Sequence, residues 1–104
     1  MKTLLIYLDD LRPMPKSYLS ANCELRVCKN YQSAVAAIYE HFNHFENDLI
    51  VDLDHDLGEF KTGYDFCKFL VSNGITGKFH IHSMNPVGRE NMQQLLSHFG
   101  WEEI

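Results

Sequence analysis

Asp52, Asp54 and Asp56 fall on alternate residues of the stretch VDLDHDLG, with His55 between the last two. A second acidic pair, Asp9-Asp10, stands near the start and is followed by Arg12. A third polar stretch, HIHSMNPVGRENM, runs from His80 to Met92. Carboxylates in this number suit a hard divalent cation. Two of them about 4 Å apart repel by roughly 4 kcal/mol at an effective dielectric near 20. A fold with only about 5–15 kcal/mol of total stability cannot hold several such pairs unrelieved. Protonation, splaying apart or a shared cation must relieve them. Oxygen donors favour Mg²⁺ or Mn²⁺, and an added imidazole shifts the balance toward Mn²⁺, Fe²⁺ or Zn²⁺. His55 and His82 are the candidate proton carriers, because imidazole titrates near neutral pH, and either could instead ligate metal. Ser83, Asn85, the amides up to Arg89 and the bare backbone at Gly88 form a candidate phosphate cradle at a helix start. Arg12 could clamp phosphate or pair with Asp9 or Asp10.

These groups meet only if the fold brings them together. Leu4 to Leu8 is an apolar run ending in Asp9-Asp10, as in a strand buried on both faces. Arg12-Pro13 and Met14-Pro15 leave room only for a short, late helix before Asn22. Leu25 and Val27 alternate with Glu24 and Arg26, as in a half-exposed edge strand. Ser33 can cap a helix burying Val35, Ile38 and Phe42. Leu49 to Leu53 is the next strand. Thr62 and Asp65 then open a helix with Phe66, Phe69 and Leu70 inward, stopped at Asn73-Gly74. Phe79 to His82 is a further strand. Asn85 and Pro86 start a helix carrying Met92, Leu95, Leu96 and Phe99 on one face, and Gly100 ends it. Trp101 to Ile104 suffices for a stub of a last strand.

Alternating strands and helices predict an α/β fold, a mostly parallel sheet with helices on both faces and a final strand short or missing. Residues 1–104 are expected to form one domain. Ligands of such sheets sit beyond the carboxyl ends of the strands. That rule gathers Asp9-Asp10, Asp54-His55-Asp56 and His82-Ser83 on one rim. His80 lies one layer deeper and reads as a core histidine. His41, His44 and His98 read as surface, and Cys67 has no nearby base that would make it a nucleophile.

The motifs LDDLRP, LDHDLG, TGYD and HSMNPVGRENM resemble those of the cyclic-phosphate processing receiver-like domains, and the likeness spans nearly the whole chain. That family is a divergent branch of the response-regulator receivers. Those receivers bind Mg²⁺ at an acidic pair and accept phosphate on an aspartate after the third strand. This chain has no evident fifth-strand lysine and carries His55-Asp56-Leu57-Gly58 where receivers have a proline-containing loop. Both departures argue against ordinary phosphorelay. The resemblance implies a receiver (flavodoxin-like) fold and removal or opening of cyclic phosphates. It singles out Asp9, Asp10, Asp54, His55, Asp56, His82, Ser83 and Asn85. Asp52 stands outside the matching motif, and its direction is left open.

The expected activity is a metal-assisted phosphoesterase acting on 2′,3′-cyclic phosphate nucleotides or RNA ends. Asp9, Asp10 and Asp54 or Asp56 would hold the cation, and His55 or His82 would protonate the leaving oxygen. Substituting His82 by Gln should then spare folding and lower turnover. The rival is a receiver-like signalling or binding module that takes phosphate on Asp54 and works through a protein partner. Net charge of −5 argues against non-specific nucleic-acid binding. Three cysteines without metal-type spacing fit a reducing compartment, the cytoplasm. The run Leu4 to Leu8 is too short for a signal-peptide core, and no stretch approaches membrane-spanning length.

Overall fold

The computed structural model describes residues 2–14, 23–43 and 46–104. Strand β1 runs Lys2–Leu8, β2 Cys23–Cys28, β3 Asn47–Leu53, β4 Lys78–Ile81 and β5 Glu102–Glu103. The helices are α1 at Tyr31–His41, α2 at Gly63–Ser72 and α3 at Pro86–His98. Every strand pairing is parallel, in the order β2-β1-β3-β4-β5. The connections β2-α1-β3, β3-α2-β4 and β4-α3-β5 all step across the sheet in one direction. Right-handed crossovers then put these three helices on the same face. Their mutual packing, α1 on α2 and α2 on α3, agrees. A helix on the other face was expected between β1 and β2, before Asn22; that stretch falls in residues 15–22, outside the described residues.

The helix-covered face takes alternate residues of each strand. Leu4, Ile6 and Leu8, Leu49, Val51 and Leu53, and Phe79 and Ile81 meet Ala34, Ile38, Phe66, Leu70, Met92 and Leu96 in one buried cluster. The opposite parity carries Leu5 and Tyr7, Asp52, and His80. Leu5 and Tyr7 are buried as well, so β1 is apolar on both faces, as its unbroken hydrophobic run predicts.

Helix starts follow their caps, with one correction. Asn30, not Ser33, caps α1: its side chain accepts the Ser33 N–H at 2.7 Å, and Ser33 Oγ accepts the Asn30 N–H in return. In such reciprocal boxes either end reads as a cap in sequence. Thr62 with Asp65, and Asn85 followed by Pro86, cap α2 and α3 as expected. Several expected inward residues lie at the margin. Val35, Phe42, Phe69 and Leu95 are only partly buried, and Phe99 is half exposed because it follows the last turn of α3. Val27 is exposed on the edge strand β2.

Residues 101–104 add the edge strand β5 beside β4. Trp101 is buried and its indole N–H donates to the Ile75 carbonyl at 3.0 Å. Glu102 and Ile104 donate to Gly77 and Phe79 of the β4 side. His80 is not the expected core histidine: it is half-buried, with Nδ1 3.3 Å from the Ile104 carbonyl. Among the described residues no helix is long and apolar enough to cross a membrane. His98 is exposed and His41 half-buried beside Glu24; His44 lies outside the described residues. Cys23, Cys28 and Cys67 are unpaired. Burial pushes the Cys67 thiol far up, which removes it as a nucleophile.

Candidate active site

From β1 the chain steps to β2 on one side, and β3 lies on the other. Loops after β1 and β3 therefore diverge, and a crevice opens at their carboxyl ends. Asp9-Asp10 and Asp54 stand there. Their positions are held by the ladder itself: Asp54 N–H donates to the Leu8 carbonyl at 2.9 Å, Asp9 N–H to Cys28 at 3.0 Å, and His82 N–H to Leu53 at 3.0 Å. Carboxylate oxygens of Asp9, Asp10 and Asp54 lie within 4.8 Å of one another. Asp10 gains its room from Gly58, whose φ of 68° suits glycine and where a Cβ would come within 2.9 Å of Asp10 Oδ2. The crevice is lined by these acids with Leu11, Arg12, Asp56 and Met84. A larger cleft lies at the opposite end of the strands, around Asp48, Lys78 and Glu102, with none of these groups. The rim is the better site, because acids from separate loops converge there.

All donors in the trio are carboxylate oxygens, two of the three residues are buried, and their negative charge must be offset. This set fits a hard cation of the Mg²⁺ or Mn²⁺ kind. The His82 nitrogens, a reason to consider Zn²⁺ or Fe²⁺, are both bonded to carboxylates. Asp56 does not join the trio. It is exposed and accepts from His55 Nδ1 at 2.9 Å, a bond that, with a further one from Asn85, holds its carboxyl below the usual range.

Both ring nitrogens of His82 are engaged. Its Nδ1 is 2.6 Å from Asp52 Oδ1 and its Nε2 2.9 Å from Asp9 Oδ2, while its ring stacks on Tyr7 at 4.9 Å. Ionised carboxylates only accept, so this arrangement favours a ring that donates from both nitrogens, an imidazolium. Burial alone would lower its pKa, but the bonds and charges of Asp52 and Asp9 outweigh this and raise it. Burial likewise opposes ionisation of Asp9. It is overcome by the Arg12 and Leu11 amides, each 2.9 Å from Oδ1, and by His82, leaving the Asp9 carboxyl below its ordinary range. Arg12 covers this group: its guanidinium donates to the His82 carbonyl at 2.9 Å, rather than pairing with Asp9 or Asp10. Tyr7 OH donates to Pro13 at 3.4 Å on the same side.

Asp52 joins this cluster although motif reasoning passed it over. Strand register could have found it, since Asp52 pairs with both Tyr7 and His80. Side chains alternate, so Tyr7, Asp9, Asp52 and His82 share the face away from the helices.

His55 is half-buried like His82 but is bonded differently. Its N–H donates to Asp54 Oδ1 at 2.8 Å, its carbonyl accepts from Gly63 at 2.8 Å, and Asp56 holds Nδ1. Its Nε2 makes no hydrogen bond among the described residues. The ring lies against Gly88, where a Cβ would overlap it. Gly88→Ala should therefore displace the His55 ring. A shift of the His55 imidazole resonances, recorded beside a thermal melt, would separate this from unfolding.

The helix start of α3 differs from the expected phosphate cradle. Pro86 has no N–H, Gly88 N–H donates to Asn85 Oδ1 at 3.0 Å, and Arg89 N–H donates to the Asn85 carbonyl. Among the described residues only the Val87 amide of that turn is left over. Ser83 Oγ is buried and accepts from Asn85 N–H at 3.1 Å, and Asn85 Nδ2 faces Asp56. Arg89 is exposed and has no ion pair among the described residues. Ser83, Asn85 and Gly88 thus shape the seat of His55 and Asp56, and Arg12 is the cation that lines the crevice.

A parallel β2-β1-β3-β4-β5 sheet with an acid trio at its switch point defines a receiver-like α/β domain. The chain belongs to the cyclic-phosphate processing receiver domain family, whose model matches residues 4–98. No curated protein and no solved structure matches it.

Proposed function

We propose that this domain hydrolyses a cyclic phosphate ester with the help of a divalent cation held by Asp9, Asp10 and Asp54. The observation that carries this reading is the oxygen-only trio beside a histidine with one nitrogen bonded and the other without a hydrogen bond among the described residues. The cation, when bound, would polarise the phosphoryl group and lower the pKa of water. Arg12 binds a non-bridging phosphate oxygen through N–H groups not spent on His82. Asp56 orients His55 as the third member of a triad orients its base. His55 Nε2 carries the proton: it protonates the departing ester oxygen as that P–O bond breaks and the water oxygen forms the new one. The water's proton replaces the one given up, and the product is a phosphate monoester.

His82, with both nitrogens engaged, serves instead as a fixed positive charge that keeps Asp9 ionised and aimed. Phosphorelay fits less well, because β5 is Glu102–Glu103 and offers no lysine.

The test is hydrolysis of 2′,3′-cyclic nucleotides with Mg²⁺, Mn²⁺ and Zn²⁺ supplied separately. Turnover should need Mg²⁺ or Mn²⁺. Loss of groups that merely support metal ligands costs about 10–100-fold, so Asp54→Asn should cost at least that much. Metal-independent turnover, or an unaffected Asp54→Asn variant, would sink the reading.

A further inference from the structure

The three most exposed large apolar side chains among the described residues are Phe60 at 95%, Leu11 at 85% and Met84 at 80%. They stand one on each of the three loops that carry the site residues: Leu11 after β1, Phe60 after β3 and Met84 after β4. Leu11 and Met84 line the acid crevice itself. Site residues fix both in place. Leu11 N–H is tied to Asp9 Oδ1 at 2.9 Å, and Met84 sits inside the turn closed by Asn85 N–H on Ser83 Oγ at 3.1 Å. Single exposed apolar residues are ordinary. Apolar residues concentrated at the mouth of an acidic crevice mark a binding lip.

Charge says what the lip takes. The crevice lining holds Asp9, Asp10, Asp54 and Asp56 against Arg12 alone. One phosphate can be met there by the cation and Arg12. The successive phosphates of an RNA chain would need a basic track, and the lining offers acids. An uncharged ring attached to a single phosphate suits both halves of the crevice. We propose that Leu11 and Met84 form a lip for the base of a nucleoside 2′,3′-cyclic phosphate, so that the substrate is a mononucleotide and not an RNA end. Phe60, two residues beyond the crevice residue Gly58, supplies the aromatic face for stacking. This inference rests on the phosphoesterase reading above.

The test compares three substrates on the full chain with Mn²⁺: adenosine 2′,3′-cyclic phosphate, the base-free ribose cyclic phosphate, and an oligonucleotide ending in a cyclic phosphate. Alongside, methyl-labelled methionine spectra are recorded as adenosine 3′-monophosphate is added. The expected result is kcat/KM about tenfold higher for the nucleotide than for either other substrate, with that preference collapsing in Leu11→Ser and Met84→Ser. Both positions are exposed, so the melting temperatures of these variants should stay near that of the parent. Equal rates on all three substrates, with the variants like the parent, overturn the lip and leave the phosphoesterase reading standing. A preference for the oligonucleotide overturns it too. No turnover, with the Met84 methyl signal shifting as nucleotide is added, supports the lip and sinks the hydrolysis. Neither turnover nor a shift sinks both. Self-association that Met84→Ser abolishes, without any nucleotide effect, gives the patch to a second copy of the chain and overturns the proposal.

Discussion

A His55→Gln variant is expected to bind the divalent cation as the parent does, to melt within a few degrees of it, and to lose roughly 10²–10⁴-fold in cyclic-phosphate turnover. The size of the loss follows from the role. General acid catalysis supplies that much, and glutamine keeps the side chain's bulk without a proton to give at working pH. Retained metal binding follows from geometry, because His55 touches Asp54 through its backbone N–H, which the substitution leaves in place. Calorimetry with Mn²⁺ and single-turnover kinetics on the same sample check both halves. Turnover within threefold of the parent would remove His55 from the mechanism. Asp56→Asn should show a milder form of the same defect, since it weakens the orientation of the ring and leaves its proton.

His82 should behave in the opposite way. The sequence alone suggested that His82→Gln would spare the fold. The structure instead places the ring between two carboxylates that are 1% and 2% exposed, with its own side chain 15% exposed. Removing one partner of a buried ion pair costs about 3–5 kcal/mol, because the charges left behind are neither solvated nor matched. For a domain of this size each kcal/mol shifts Tm by about 4–8 °C, so metal-free His82→Leu should melt at least about 12 °C lower. Adding Asp52→Leu to that variant should restore part of the loss, since it removes one of the stranded carboxylates; full additivity of the two substitutions would refute the pairing.

The same group sets a pH profile for the metal-free protein. The pKa of His82 is raised on folding, so its contribution is complete below the unfolded value of about 6.5 and fades as pH climbs through the higher folded value. Asp9 has its pKa lowered, so its contribution is complete above about 3.9 and fades as pH falls through the lower folded value. Stability owed to this pair is therefore greatest between roughly pH 4 and 6.5. Urea titrations across pH should show that plateau in the parent and lose its alkaline limb in His82→Leu.

Much of the architecture is legible in local chemistry. Five residues of unbroken apolar character, ending in an acidic pair, read as a strand buried on both faces, and β1 is one. Thr62 with Asp65, and Asn85 with Pro86, announce helix starts because the orphan amides there need those side chains. Parallel strands put their carboxyl ends on one rim, so Asp9, Asp10 and Asp54 were bound to meet once the strand-helix alternation was recognised. The membership of the trio was less legible. Asp54 and Asp56 are two residues apart and look alike in the chain, but Asp56 lies past the turn, where His55 and Asn85 take it.

By itself, then, the sequence determined the order and kind of elements, the acidic rim and the family to which the chain belongs, since each rests on spacing along one segment. Tertiary structure alone decided which histidine is free. His55 and His82 are equal candidates as residues. They differ because strand register sets Asp52 beside His82 and the β1 loop sets Asp9 on its other nitrogen, whereas the His55 ring, held against Gly88, has no hydrogen bond to Nε2 among the described residues. That difference depends on contacts across 30 and 73 residues of chain, which no local pattern records.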